Sequence, residues 1–261
     1  MKKGFFLRGT LMVCFAVLSA GLFLNLNAEK PIHLPVCEVT AKITIPDVSP
    51  RGLVFADKDM WILDAKGNRL LHYDRERKEV VTSLKLPVSG TGGVAWDGKN
   101  FWCADSRNNK IFRMDREKGE VVQSVSLPVP GKVSANTVGI AWDGKYLWAV
   151  YEAGWSSRLL KINADTGEVL DEMFVRSLPL GIAADSEHLW VLSRNTGKIP
   201  GVLSRRSFSE DADKMNSSRT FVCYIPAADP SGLAHDGQNL WVVDRKEGTV
   251  LKIKVPSEEV R

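Results

Sequence analysis

The chain has 261 residues, of which 44% are hydrophobic and 25% charged, a composition that suits a globular protein with a substantial core and excludes a disordered or fibrous chain. Its formal charge of +4 is uneven: Lys2, Lys3 and Arg8 fall within residues 1–28, which hold no acid, and beyond them 32 Lys and Arg face 31 Asp and Glu. That near-neutral remainder interleaves its charges, as in DRERKEV (74–80) and DREKGEV (115–121), and so lacks the concentrated positive surface that a nucleic-acid backbone requires.

Taken in chain order, the first element is the segment 1–28. Its three positive charges precede an apolar run from Leu11 to Leu26, the order of an export signal. Cleavage near Ala28 makes 29–261 a secreted, periplasmic or cell-envelope domain. Retention of the run, which is nearly long enough to span a bilayer, anchors the same extracytoplasmic domain to a membrane. Export makes disulfides chemically available. Of the three cysteines that remain, Cys37 and Cys223 are able to bridge if two outer strands meet, whereas Cys103 within FWCA reads as a small buried hydrophobe. No Cys-x-x-Cys pair or zinc-ligand spacing is present.

Next comes EVTAKITIP (38–46), a short β-rich run, and then a repeat. Gly52, Gly93, Gly139, Gly181 and Gly232 each stand nine residues before a tryptophan: Trp61, Trp102, Trp148, Trp190 and Trp241. Each interval holds an apolar run, a polar turn and a second run that opens at the Trp. Asp-Gly occupies three of these turns, which is a hairpin pattern. Third and fourth runs follow: RLLHYD and VVTSLKL in the first unit, KIFRMD and VVQSVSL in the second, RLLKIN and VLDEMFV in the third. The fourth unit is irregular, with a polar insertion at about 194–220 before FVCYI (221–225). The fifth ends at VLKIKV without a good fourth run.

Four strands in each of five units define an all-β, five-bladed β-propeller, because a lone four-stranded sheet of this pattern buries neither face until neighbours stack on it. The fifth unit lacks an outer strand and residues 38–46 supply one, so the N-terminal strand is expected to pair with the last blade and close the ring. With segments such as GIAWDGKYLW and NADTGEVL, residues 38–255 resemble the NHL, streptogramin-lyase and bacterial glutaminyl-cyclotransferase-like propeller families. That resemblance implies the fold and a range of activities: binding modules, lyases, lactone hydrolases and cyclases of N-terminal glutamine. The Thr-Gln-Gly-Leu opening of the cyclotransferases is replaced here by SPRGLVF, so no catalytic residue carries over.

A propeller places its variable loops at the mouth of the ring. Three residues after each repeated Trp stand Asp64, Asp105, Tyr151, Ser193 and Asp244; four residues after it stand Ala65, Ser106, Glu152, Arg194 and Arg245. Arg51, Arg107 and Trp155 lie in adjoining loops. Guanidinium groups at Arg107, Arg194 or Arg245 suit a carboxylate, with Tyr151 and Trp155 as an apolar wall and Arg51 and His235 as further ligand-binding candidates. This composition suits a small polar ligand such as a zwitterion, a charged glycan, a peptide terminus or an envelope protein. As an enzyme, Glu152, Asp105 and Asp244 are the candidate catalytic acids, or Asp64, Asp105, Glu152 and Asp244 converge on a calcium-like ion; no other cofactor is expected. The competing reading gives Asp64, Asp105 and Asp244 a framework role as turn caps.

Overall fold

The computed structural model describes residues 34–88, 90–128, 135–153, 156–175, 177–195, 197–208 and 219–256; the segment read as an export signal lies outside them. After β1 (Glu38–Thr44), the first blade is β2 (Pro50–Ala56), β3 (Asp59–Asp64), β4 (Arg69–Asp74) and β5 (Glu79–Lys85). The second is β6 (Thr91–Trp96), β7 (Asn100–Asp105), β8 (Lys110–Asp115) and β9 (Val121–Ser126), and the third is β10 (Ala135–Trp142), β11 (Leu147–Ala153), β12 (Ser156–Ile162) and β13 (Val169–Val175). The fourth comprises β14 (Pro179–Ala184), β15 (His188–Arg194), β16 (Gly201–Ser207) and β17 (Thr220–Ile225), and the fifth β18 (Pro230–His235), β19 (Leu240–Asp244) and β20 (Thr249–Lys254). Each blade is a four-stranded antiparallel sheet, and the innermost strands touch in the cyclic order β2, β6, β10, β14, β18 and back to β2. The chain is a five-bladed β-propeller.

Ring closure follows the expected route. β1 pairs antiparallel with β20, from Glu38 opposite Lys254 to Thr44 opposite Thr249, and becomes the outer strand of the last blade. Just before it, the chain touches the neighbouring blade: Cys37 N–H donates to the Tyr224 carbonyl at 2.9 Å and Tyr224 N–H donates to the Pro35 carbonyl at 2.8 Å. There the two outer strands do meet, and Cys37 and Cys223 form a disulfide across a Cα separation of 5.7 Å. Cys103 is fully buried, and desolvation pushes its thiol up to about 12, which leaves it an unreactive core residue.

Period-two alternation in each strand divides the core into five clusters, one for every blade junction. Trp61 packs with Val94, Phe101 and Met114 of the next blade, and Trp190 with Leu233, Val242 and Leu251. The tryptophan also explains the Asp of the preceding turn. Asp97 Oδ1 accepts from the N–H groups of Lys99 and Asn100, while its Oδ2 accepts from Trp102 Nε1 at 2.9 Å. Asp143, Asp185 and Asp236 do the same for Trp148, Trp190 and Trp241. In the first blade Ala56 stands at that position, and Trp61 Nε1 is buried without a hydrogen-bond partner among the described residues; its ring stacks instead on His72, with centroids 4.9 Å apart. Arg113, Lys161 and Lys252, at the matching place on their third strands, lie over Trp102, Trp148 and Trp241.

The fourth blade departs from the expected insertion. Residues 201–207 form a regular third strand, β16, paired with both neighbours. Its pattern was obscured because Ser204 and Arg206, polar in sequence, are buried there. Residues 209–218 lie outside the described residues.

At the axis the repeated glycines meet. A Cβ added to Gly93 would sit 2.9 Å from Gly139 Cα, one on Gly139 3.1 Å from Gly181 Cα, and one on Gly181 3.0 Å from Gly232 Cα. All of these neighbours are backbone, which cannot swing aside. Gly181→Ala is therefore expected to lower unfolding free energy by roughly 2–3 kcal/mol, the upper part of the overpacking range, measured by urea denaturation. Cys37→Ser should cost about 2–4 kcal/mol by the same assay, because it frees a closure that joins residues 186 apart in sequence.

Candidate functional site

All five innermost strands run from the same face, and each is irregular at its start. In β2, Pro50 pairs with Asp64 and Gly52 with Leu63, so Arg51 is an extra residue in a bulge. Val138 and Leu180 occupy the same place in β10 and β14. A bulge re-aims the side chain at its centre, and here the residue before each framework glycine faces the mouth. Arg51, Gly92, Val138, Leu180 and Ser231 all line one cavity of about 270 Å³.

The upper wall comes from the second strands. Ser106, Glu152, Arg194 and Arg245, each four residues after its tryptophan, line the same cavity. Residues three after the tryptophan point the other way, into the blade, because successive side chains alternate. Sequence spacing thus locates the mouth, but only one of the two adjacent positions reaches it.

Asp64, Asp105 and Asp244 belong to the framework set. Asp64 is buried and accepts from Ser49 N–H, Lys66 N–H and Arg69 Nε. Asp105 accepts from the N–H groups of Arg107 and Asn108 and from Asn108 Nδ2. Asp244 takes four backbone bonds, from Ala228, Asp229, Lys246 and Glu247. The four carboxylates proposed to gather around an ion are therefore not assembled: three cap turns and Glu152 alone faces the cavity. Among the described residues no group of three or more His, Cys, Asp or Glu is arranged to hold a metal.

Tyr151 is likewise corrected. Its ring is fully buried at the junction of the second and third blades, and its hydroxyl lies 3.1 Å from Glu172 Oε1 and 3.2 Å from the Pro128 carbonyl. Burial, then the Glu172 charge, push its pKa up to about 12. Arg107 is exposed and stands outside the cavity lining. His235 is at the opposite end of the channel, in an apolar recess with Phe55, Trp96 and Trp142, and its Nδ1 accepts from Gly237 N–H at 3.3 Å. Trp155 lies outside the described residues.

The mouth that remains has a clear polarity. Arg194, Arg245 and Arg51 come from the fourth, fifth and first blades and form a continuous cationic arc; the third blade, across from it, supplies Glu152 and its cross-strand neighbour Asn136. Arg245 is paired with Asp229 at 2.8 Å. Among the described residues, Arg51, Arg194 and Glu152 have no ion-pair partner. Although the Arg51 side chain touches solvent, surrounding protein atoms desolvate its guanidinium and Arg245 opposes its charge, so its pKa is lowered for both reasons in that order. Asn136, Thr137, Val138, Pro179 and Leu180 also line the cavity and escaped the sequence reading. Only the bulge geometry places them, though the residue before each framework glycine was a recoverable signal.

The sequence matches no protein-family model and no curated protein. Solved propellers resemble it in fold. Myxococcus xanthus glutaminyl cyclase superposes with a TM-score of 0.61 at 12% identity, over 84% of this chain and 96% of that one. Virginiamycin B lyase from Staphylococcus aureus gives 0.50 at 21% identity, over 81% and 68%. The β-propeller domain of Myceliophteria thermophila Cps50 (Swd1) gives 0.52 at 10% identity, over 83% and 100%. At these identities the likeness is one of fold.

The framework role of Asp244 has a direct test. Asp244→Ala leaves four N–H groups without their acceptor and is expected to reduce stability by roughly 1–3 kcal/mol in urea denaturation, whether or not divalent ions are present. A loss of stability seen only with calcium would instead restore it as a ligand.

Proposed function

We propose that this chain is an extracytoplasmic propeller that binds a small anionic ligand in the arginine-lined mouth. The observation that carries the reading is the cationic arc of Arg51, Arg194 and Arg245 around one cavity, with two of the three lacking a carboxylate partner among the described residues. Guanidinium groups held side by side repel one another until an anion enters, and a carboxylate accepts paired bonds from each fork. The cavity, about 270 Å³, falls just below the roughly 300–1,000 Å³ of sites for drug-sized molecules, which favours a metabolite-sized ligand over a folded partner. Export is supported by the charged-then-apolar order of residues 1–28 and by the Cys37–Cys223 disulfide, a bond that persists in oxidising compartments.

Glu152 favours a second reading at the same mouth. It is a lone carboxylate opposite arginines, the pairing an acid/base enzyme uses to move a proton while guanidinium groups hold developing negative charge. Two propellers of similar fold are enzymes, a glutaminyl cyclase and a virginiamycin B lyase. In either reading the arginines are the groups that meet the ligand, since Asp64, Asp105 and Asp244 are committed to turns.

The test is thermal unfolding with a panel of small mono-, di- and tricarboxylates. A ligand at a hundredfold its Kd should raise Tm by roughly 5–10 °C, and Arg51→Ala should weaken that ligand about ten- to a hundredfold. If no carboxylate moves Tm, or Arg51→Ala leaves the shift intact, the mouth is not an anion site.

A further inference from the structure

Charge counting narrows the ligand. Arg245 is ion-paired with Asp229, with the Nη2 to Oδ1 distance at 2.8 Å, so among the described residues the charged groups of the mouth without an ion-pair partner are Arg51, Arg194 and Glu152. Two positive groups and one negative group form a pattern whose complement has two anionic groups and one cationic group, with a net charge of −1. Their placement is equally specific. The two arginines stand on the first and fourth blades with the fifth between them, whereas Glu152 rises from the third.

The acidic side carries further polar groups. Asn136 is directly opposite Glu152 in the β10–β11 ladder and faces the same cavity. Thr137 also borders the cavity, but its side chain is 1% exposed and, opposite Tyr151 in the ladder, it turns into the blade. Among the described residues the second blade contributes two small groups, Gly92 and Ser106. A Cβ on Gly92 would lie 1.7 Å from the Thr137 carbonyl oxygen, so this wall stays low for steric reasons, and Ser106 Oγ is already turned to the Gly90 carbonyl. The lining is therefore mixed, with guanidinium groups from the fourth, fifth and first blades and acceptors from the third, which adjoins the fourth.

We propose that the mouth selects an amino dicarboxylate, a small molecule with two carboxylates and one ammonium, with the carboxylates on Arg51 and Arg194 and the ammonium on Glu152. This rests on the reading of the mouth as an anion site and adds the requirement for a cation. A dicarboxylate without the amine leaves Glu152 facing negative charge, and a zwitterion with one carboxylate leaves an arginine unmatched. Each mismatch forfeits a charge-assisted interaction in a confined site, so selectivity over either is expected to be about ten- to a hundredfold.

Isothermal titration of the purified protein with glutamate, glutarate and glutamine separates the terms, since the three share a carbon skeleton and differ in charge. Glutamate should bind at least tenfold more tightly than either of the others. In Glu152→Gln the order should invert, with glutarate the tighter ligand, a change that a fold defect cannot produce. Glutarate equal to or tighter than glutamate on the unaltered protein overturns the amine requirement while leaving the anion site standing. Glutamine as the tightest of the three overturns the two-carboxylate requirement. A preference for glutamate that survives Glu152→Gln removes Glu152 from the role. Binding of none of the three overturns the ligand class, and the wider carboxylate panel then decides whether the anion site falls with it.

Discussion

The close approach of five glycines around the axis is the constraint on which the rest of the molecule depends. Backbones that leave no room for a Cβ between them fix how far each blade stands from the next. That distance sets the depth to which Trp61, Trp102, Trp148, Trp190 and Trp241 reach across the junctions, and hence the packing of all five core clusters. It also narrows the channel to a waist between the polar mouth and the aromatic recess on the other face.

From that waist the two ends of the channel acquire opposite characters by a simple rule. Residues after each glycine continue a regular strand and are apolar, since they pack blade on blade. The residue before it borders the mouth at an irregularity of the ladder and packs less completely, which is why Arg51, Val138, Leu180 and Ser231 differ so widely in chemistry. A scaffold that separates stability from recognition in this way tolerates change at its mouth, and a cluster of guanidinium groups can accumulate there at little cost to folding.

Much of the scaffold was legible because its causes are local. The nine-residue interval from Gly to Trp spans one hairpin, so it recurs wherever that hairpin recurs; the Asp before four of the five tryptophans is fixed by an indole N–H five residues away. The exchange of outer strands at the termini could be read from an incomplete last repeat. The third strand of the fourth blade could not, because Ser204 and Arg206 are buried polar residues that break the apolar alternation. Cys37 and Cys223 illustrate the limit: their bond depends on two outer strands of different blades meeting at the closure, a relation between distant segments.

For the candidate site, the sequence determined the residues four beyond each tryptophan as variable loop positions, and four of them, Ser106, Glu152, Arg194 and Arg245, line the mouth together with Arg51. It could not choose between neighbours one residue apart. Asp64, Asp105 and Asp244 looked as eligible as Glu152, yet strand alternation turns them into the blades, where backbone N–H groups claim their oxygens. The same alternation buries Tyr151 at a junction, whereas His235, at the far end of β18, is carried to the other end of the channel. Period and spacing are properties of the chain and survive without a fold; which side of a strand faces a cavity exists only once neighbouring blades have closed around it.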